Sequence, residues 1–378
     1  QRLATHTLRH VGRADRALRP HLAKLPAVEV LNILRLGVVE IVGLGAPAHA
    51  VVNDLVSICG STGQTRPYKG LINAVLRKAV ADVSGKWDKS PVQMMPKWLR
   101  SPLREAYGNG TIMAIETAHM RGAPVDLTVT ADPQTWAETL GGSVLPNGSV
   151  RLNDMGQISA LSGFEDGKWW VQDAAASWPA AWLALQAGET VLDVCAAPGG
   201  KTMQMALAGA EVTSLDISAK RMERVAENLG RTKLEADLVV ANVLEWQDAR
   251  QFDAVLLDAP CSATGTIRRH PDLPFAKDGT GITELIGLQA EMLVAAARRV
   301  KPGGRLVFCT CSLIPDEGEV HAENFLNAHK DFVVDTSVPE GMEAEWRSEE
   351  GGYRLRPDFW ADRGGMDGFY IIRMNRAP

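Results

Sequence analysis

The chain has no run of about eighteen consecutive apolar residues, the length a helix needs to cross a bilayer. Residues 1–10 lack the charged-then-apolar order of a secretory signal. The chain opens on Gln1 rather than Met, so further upstream residues are expected. A soluble, cytoplasmic protein with no membrane partner is expected. Cysteine is scarce: Cys59, Cys195, Cys261, Cys309 and Cys311 are the five in 378 residues, with no CxxC pair among them. That pattern argues against a secreted disulfide framework and a cysteine-based zinc site. Free thiols and no metal are expected. Internal repeats, low-complexity tracts and a Gly-x-Gly-x-x-Gly dinucleotide fingerprint are also missing. What is present is ordinary globular composition, 46% hydrophobic and 22% charged, in a chain long enough for two or three domains.

The net charge of −5 conceals an asymmetry. Residues 1–110 carry 16 Lys and Arg against 7 Asp and Glu, so that segment is +9 and the remainder −14. A basic region beside an acidic one suits a nucleic-acid substrate, because phosphate contacts need clustered cations. The same charges also suit solvated helix faces.

Residues 1–85 read as a small helical bundle. Apolar residues recur at helical spacing in Val28, Leu31, Leu34, Leu36, Val38, Ile41 and in Leu71, Ile72, Val75, Leu76, with Pro26, Pro47 and Pro67 between the periodic stretches. The polar, proline-bearing stretch 85–102 reads as a connector into a small α+β module ending near 165, with a strand at 126–130, a helix at 136–140 and turns at Gly141-Gly142 and Asn147-Gly148. From 166 to 378 strands alternate with helices: strands at 190–195, 211–215, 253–257, 305–309 and 368–373, helices at 200–208, 218–229 and 284–300. This alternation predicts a doubly wound α/β sheet, and a further helix is expected at 316–327.

The first of those strands runs into Cys195-Ala196-Ala197-Pro198-Gly199-Gly200-Lys201-Thr202. Small residues let backbone approach a ligand, and the helix that follows offers unpaired N–H groups. Gly200-Lys201-Thr202 matches the end of a phosphate-binding P-loop, but Cys195 stands where its leading glycine belongs. Asp216 closes the second strand, about 20 residues on, where a carboxylate accepts hydrogen bonds from ribose hydroxyls. A nucleoside-bearing ligand is expected, with helix capping as the plainer role for Asp216.

Asp258-Ala259-Pro260-Cys261-Ser262 and Cys309-Thr310-Cys311-Ser312 each follow an apolar strand, so both loops fall at carboxyl ends of the sheet, where open α/β sheets keep their sites. A thiolate suits attack on a pyrimidine ring, since carbon 5 of cytosine takes an electrophilic methyl group only after a nucleophile has added at carbon 6. A helix beginning just past Cys311 would help lower its pKa. A protonated Asp258 carboxyl could donate to ring nitrogen 3, and a second cysteine could assist release. Cys59 and Cys309 read as small buried core residues. Spacing does not choose between Cys261 and Cys311 as nucleophile.

Together, the Asp193–Thr202 run, Asp258-Ala259-Pro260-Cys261-Ser262 and Thr310-Cys311-Ser312 resemble the RNA cytosine-5 methyltransferases, over residues 165–378. The resemblance implies a Rossmann-like class I methyltransferase domain using S-adenosylmethionine. It also implies Cys311 as the covalent nucleophile, with Cys261 aiding product release and Asp258 protonating or positioning the base. Cofactor contacts then carry over to Cys195, Ala196, Ala197, Pro198, Gly199, Gly200, Lys201, Asp216 and Asp258. Asn242 stands where the family often has an aspartate near the adenine. Leu34-Arg35-Leu36-Gly37, residues 48–53 and Ile72-Asn73-Ala74-Val75-Leu76-Arg77 are similar to the antitermination factor NusB. That pairing points to the 16S ribosomal RNA group of the family, which also carries a Pro96-Lys97-Trp98-like opening to its middle module. The group implies an all-α NusB-like domain at 1–85, an α+β linker module at 86–165 and the methyltransferase domain at 166–378. It further implies 16S rRNA or a small-subunit assembly intermediate as partner and a monomeric enzyme, with Arg268, Arg269 and His270 expected on RNA. The alternatives are a tRNA cytosine-5 methyltransferase and a non-catalytic RNA-binding protein with a degenerate methyltransferase domain.

Overall fold

The computed structural model describes residues 2–153 and 156–378. Contacts divide the chain into two compact units, Gln1–Gly122 with Ile267–Asp278, and Ala123–Thr266 with Gly279–Pro378. This differs from the three segments expected at 1–85, 86–165 and 166–378. Residues 86–122 group with the N-terminal helices, and the end of the stretch read as a connector, 85–102, is the start of the helix Lys97–Arg121. Pro102, Gly108 and Gly110 disguise it in the sequence. Pro96 precedes its first turn, where a missing N–H costs nothing, and Gly108 at φ +79° breaks it in two.

The helical unit is built on Val11–Leu18, Val28–Val38, Ala48–Gly60 and Lys69–Val83. Their buried residues fall three and four apart, as Leu31, Leu34, Val38 and Ile72, Val75, Leu76, Ala79 show. Gly37 sits where a Cβ would come 2.7 Å from Leu55 and 2.8 Å from Leu76, so the helices close over a position without a side chain.

The second unit holds two sheets. The smaller is antiparallel, with β1 (Val125–Val129), β2 (Ser143–Val144), β3 (Val150–Leu152) and β4 (Trp169–Val171) in the order β2-β3-β1-β4. Leu127, Val150, Leu152 and Trp169 bury its inner face against the helix Pro133–Leu140. The larger contains β5 (Thr190–Val194), β6 (Glu211–Asp216), β7 (Asp237–Val240), β8 (Phe252–Asp258), β9 (Val300–Thr310), β10 (Phe332–Val334), β11 (Tyr353–Leu355) and β12 (Phe369–Arg376). Its order is β10-β12-β9-β8-β5-β6-β7, with β11 also paired to β12. Strands β5 to β9 run parallel and β12 antiparallel.

The central strands are apolar on both faces. Val191, Ala254, Leu256 and Val307 enter one core with Trp178 and Met205, while Leu192, Val194, Val255, Leu257 and Phe308 enter another with Met292, Leu293 and Phe325. Helices therefore cover both sides of the sheet. The chain moves outward through β5, β6 and β7 and then returns to β8 on the other side of β5. That reversal opens a crevice at the carboxyl ends of β5 and β8.

Candidate active site

The loop after β5 bends sharply. Cys195 takes φ +64° and Gly199 φ +100°. Cys195 and Ala196 both donate their N–H to Leu215 O, at 2.9 and 3.1 Å, which pins the loop to the end of β6. A Cβ at Gly199 would meet Val225 at 3.1 Å, so glycine serves both conformation and packing there. The helix Gly200–Leu207 starts directly behind the loop. Asp216 is almost fully buried; its Oδ1 accepts from Ser218 N at 2.9 Å and its Oδ2 from Ala197 N at 3.3 Å. Capping of the next helix falls to Ser218, whose hydroxyl accepts from Arg221 N. Arg221 in turn donates to Ala197 O at 2.7 Å, tying this helix to the loop.

Lys201 turns inward and places Nζ 2.7 Å from Asp258 Oδ2 at the end of β8. Burial alone would lower the Lys201 ammonium; the Asp258 carboxylate outweighs it and the pKa rises. Asp258 Oδ1 accepts the Cys309 S–H at 3.6 Å, and Cys309 is fully buried in β9. Beneath the loop, Asp193 Oδ2 accepts from Thr202 Oγ1 at 2.6 Å, while its Oδ1 is buried without a hydrogen-bond partner. Burial pushes the Asp193 carboxyl up to about 7. Burial, with Asp258, Asp216 and Asp193 around it, pushes the Cys195 thiol up to about 12.

The two loop cysteines converge. Cys261 Sγ and Cys311 Sγ lie 3.4 Å apart, one past the end of β8 and the other past the end of β9. The hydrogen bond with Cys311, burial and the nearby Glu317 carboxylate together raise the Cys261 thiol well above its usual value. The helix expected at 316–327 begins only at Glu319, after a 3-10 turn at Pro315–Glu317, so Cys311 does not sit at a helix N-terminus.

Cys195, Ala197, Asp216, Asn242, Asp258, Cys261 and Cys311 line one cavity of about 320 Å³. Ala196, Pro198, Gly199, Gly200 and Lys201 form the loop and helix start behind it. Asn242 Oδ1 accepts from Leu244 N at 3.1 Å, which orients its amide in the turn after β7. Ile217, Arg221, Leu288 and Met292 also line the cavity and were not anticipated, since nothing in their local sequence marks them. Glu317 and Gln289, both fully buried, were missed for the same reason. Arg268, Arg269 and His270 belong to the helical unit. Of the three residues expected on RNA, the Arg268 side chain is fully buried, Arg269 is half-buried and His270 is exposed.

A crevice with a glycine loop, a carboxylate at the end of the second strand and an amide after the third suits a nucleoside bearing a charged substituent. The paired thiols at its rim can act on a second molecule entering from outside. Residues 180–375 match the family described as 16S rRNA methyltransferase RsmB/F, and residues 1–81 match the NusB family. The chain is similar to Ribosomal RNA small subunit methyltransferase B of Pasteurella multocida (33% identical; 91% of this chain, 80% of the relative). It is also similar to the protein of the same name from Cronobacter sakazakii (36% identical; 84% and 77%). Among solved structures, a methyltransferase homologue from Pyrococcus horikoshii matches with TM-score 0.62 and 26% identity, over 73% of this chain and 94% of that one.

Proposed function

The chain belongs to the 16S rRNA methyltransferase RsmB/F family, and from that premise we propose that it methylates carbon 5 of a cytosine in small-subunit ribosomal RNA through a covalent adduct on Cys311. The observation that carries this reading is the 3.4 Å approach of Cys261 and Cys311, both of which line the cavity with Asp216 and Asp258. An O- or N-methyltransferase has no use for two adjacent thiols; a pyrimidine-carbon methyltransferase has a task for each.

S-adenosylmethionine, the donor used by this fold and family, supplies an electrophilic methyl group when bound. In this reading the loop 195–200 brings small residues and backbone to its edge, Asp216 accepts from ribose hydroxyls and Asn242 meets the base end, Asp216 and Asn242 both lining the cavity. The target cytosine must be unstacked to reach the rim, as for any enzyme acting on a ring atom. Cys311, as thiolate, adds to carbon 6 and electron density moves toward carbon 5 and nitrogen 3. Asp258 in its protonated form donates a hydrogen bond to nitrogen 3, which balances that charge, and Lys201 pairs with the carboxylate once the proton has left. After methylation the carbon 5 proton passes to water and the Cys311–carbon 6 bond breaks. Cys261, keeping its proton, donates an S–H hydrogen bond to the departing thiolate.

Methyl transfer from labelled S-adenosylmethionine to small-subunit RNA, followed by bisulfite mapping, tests this. Cys311→Ala abolishes transfer, Cys261→Ala accumulates a protein–RNA adduct on a denaturing gel, and Cys309→Ala keeps turnover. Normal turnover by Cys311→Ala overturns the mechanism.

A further inference from the structure

Each of the two paired thiols is followed by a serine, and both serines reach the same buried carboxylate. Glu317, fully buried, accepts from Ser262 N at 2.8 Å and from the Ser262 hydroxyl, and also from Ser312 Oγ at 2.6 Å. Its fourth donor is Gln289 Nε2, at 2.9 Å, which also donates to Pro260 O at 2.8 Å. Gln289 Oε1 is within hydrogen-bond distance of His321 Nε2, at 2.9 Å, so the amide that supports Glu317 is itself fixed from behind. Thr310 Oγ1 donates to the Glu317 carbonyl at 2.8 Å, and Thr264 Oγ1 receives Leu313 N at 2.9 Å. These groups come from the loops after β8 and β9, the helix Ile282–Ala297 and the 3-10 turn Pro315–Glu317. A fully buried carboxylate taking four donors is a costly arrangement for stability alone, since burying the charge offsets much of what the hydrogen bonds return.

We propose that Glu317 is a positioning residue for the methylation reaction, its carboxylate clamping the two Cys-Ser loops together and setting the juxtaposition of Cys261 and Cys311 on which attack and release depend. The inference rests on the covalent reading given above. Its charge has a second consequence. The hydrogen bond with Cys311 and burial raise the Cys261 thiol most, and the Glu317 carboxylate behind Ser262 adds to them in the same direction.

The test uses the full chain with Glu317→Gln and, because that variant removes a buried charge from four donors, also Ser312→Ala, which removes one. Alkylation of Cys261 and Cys311 by iodoacetamide is followed by peptide mass spectrometry across pH 6–10, alongside kcat and KM for S-adenosylmethionine and RNA. In Glu317→Gln the alkylation profile of Cys261 shifts to lower pH by about one unit, roughly tenfold faster alkylation near pH 8. In the same variant kcat falls roughly 10- to 100-fold with KM for S-adenosylmethionine little changed. Ser312→Ala moves kcat in the same direction by less. Unchanged alkylation profiles in both variants overturn the proposal, as does a kcat loss matched by lost cofactor affinity. If Cys311→Ala keeps turnover, the covalent reading falls and takes this catalytic role with it. If Cys311→Ala is inactive while Glu317→Gln and Ser312→Ala behave as the unsubstituted protein, only the role of Glu317 falls.

Discussion

Lys201 Nζ sits 2.7 Å from Asp258 Oδ2, joining the first turn of the helix after β5 to the end of β8 across the crevice where the sheet order reverses. Lys201 is almost completely buried and Asp258 keeps about a third of its side chain exposed. Replacing the lysine leaves Asp258 without its ion-pair partner and with Asp193 and Asp216 nearby. Lys201→Met is expected to lose somewhat less than the roughly 3–5 kcal/mol of a fully buried broken pair, because Asp258 retains contact with solvent. Urea unfolding measures this. Methyl transfer should fall by at least about 100-fold, the lower range for a lost acid–base group. Full activity in a stable Lys201→Met protein would remove the pair from the mechanism.

Asp193 supplies a pH dependence whose sign is fixed by its burial. Its carboxyl titrates near 7 in the folded chain against 3.8 for the free side chain. A raised pKa favours folding while the group is protonated, so the contribution is complete below about pH 4 and is lost as pH climbs toward 7. Asp193→Asn keeps an acceptor for Thr202 and removes the titration. The stability of this variant relative to the unsubstituted protein should therefore grow between pH 4 and pH 8, by a few kcal/mol. Equal differences at both pH values would show that Asp193 does not titrate in this range.

The site was legible where function requires residue types at fixed local spacing. The loop from Cys195 to Lys201, the carboxylate Asp216 and the two cysteine loops are each contained in a short run of sequence, and the structure gathers them around one cavity. Glu317 and Gln289 were invisible because their partners, Ser262 and Pro260, come from another loop and meet them only after folding. The burial of Arg268 was equally invisible: a cation in a polar loop reads as exposed, but this side chain is buried. The helix Lys97–Arg121 was lost to local punctuation, since one proline and two glycines outweighed a periodicity that Leu99, Leu103, Ile112 and Ile115 carry. Strands β10 and β11 are three residues each and leave almost no pattern to read.

Within the second unit Arg151 and Asp126 form a bidentate pair, with both contacts at 2.7 Å and neither side chain exposed. Arg151 also donates to the carbonyls of Arg363 and Gly365, and Asp126 accepts from Ala174 N at 3.0 Å. The pair therefore staples the small sheet to the chain ahead of β12. Arg151→Met should cost roughly 3–5 kcal/mol, and Arg151→Met with Asp126→Leu should recover a large part of that, because no lone charge is then left buried. Chemical denaturation of the two single variants and the double variant measures the coupling; simple additivity would mean the two residues act separately.

The loop that carries Cys261 is also fastened at Gly265. Its N–H donates to Cys311 O at 2.9 Å, and its carbonyl accepts from Gly368 N at 2.8 Å, at the entrance to β12. A Cβ there would collide with the Gly368 carbonyl oxygen and stand 2.6 Å from its carbon, where backbone on both sides leaves nothing flexible to yield. Gly265→Ala must therefore separate the loop from β12, and Cys311 moves with the bond it accepts. The expected loss is roughly 1–3 kcal/mol of stability, as for an overpacked site. Because the displaced carbonyl is that of Cys311, kcat should fall more than KM for S-adenosylmethionine rises. Gly230→Ala is the control. It lies in the helix Ala219–Thr232 with open space around its Cβ, and should be neutral or stabilising by about 0.5–1 kcal/mol. Equal kinetics for the two variants would mean that the Cys311 loop is held elsewhere.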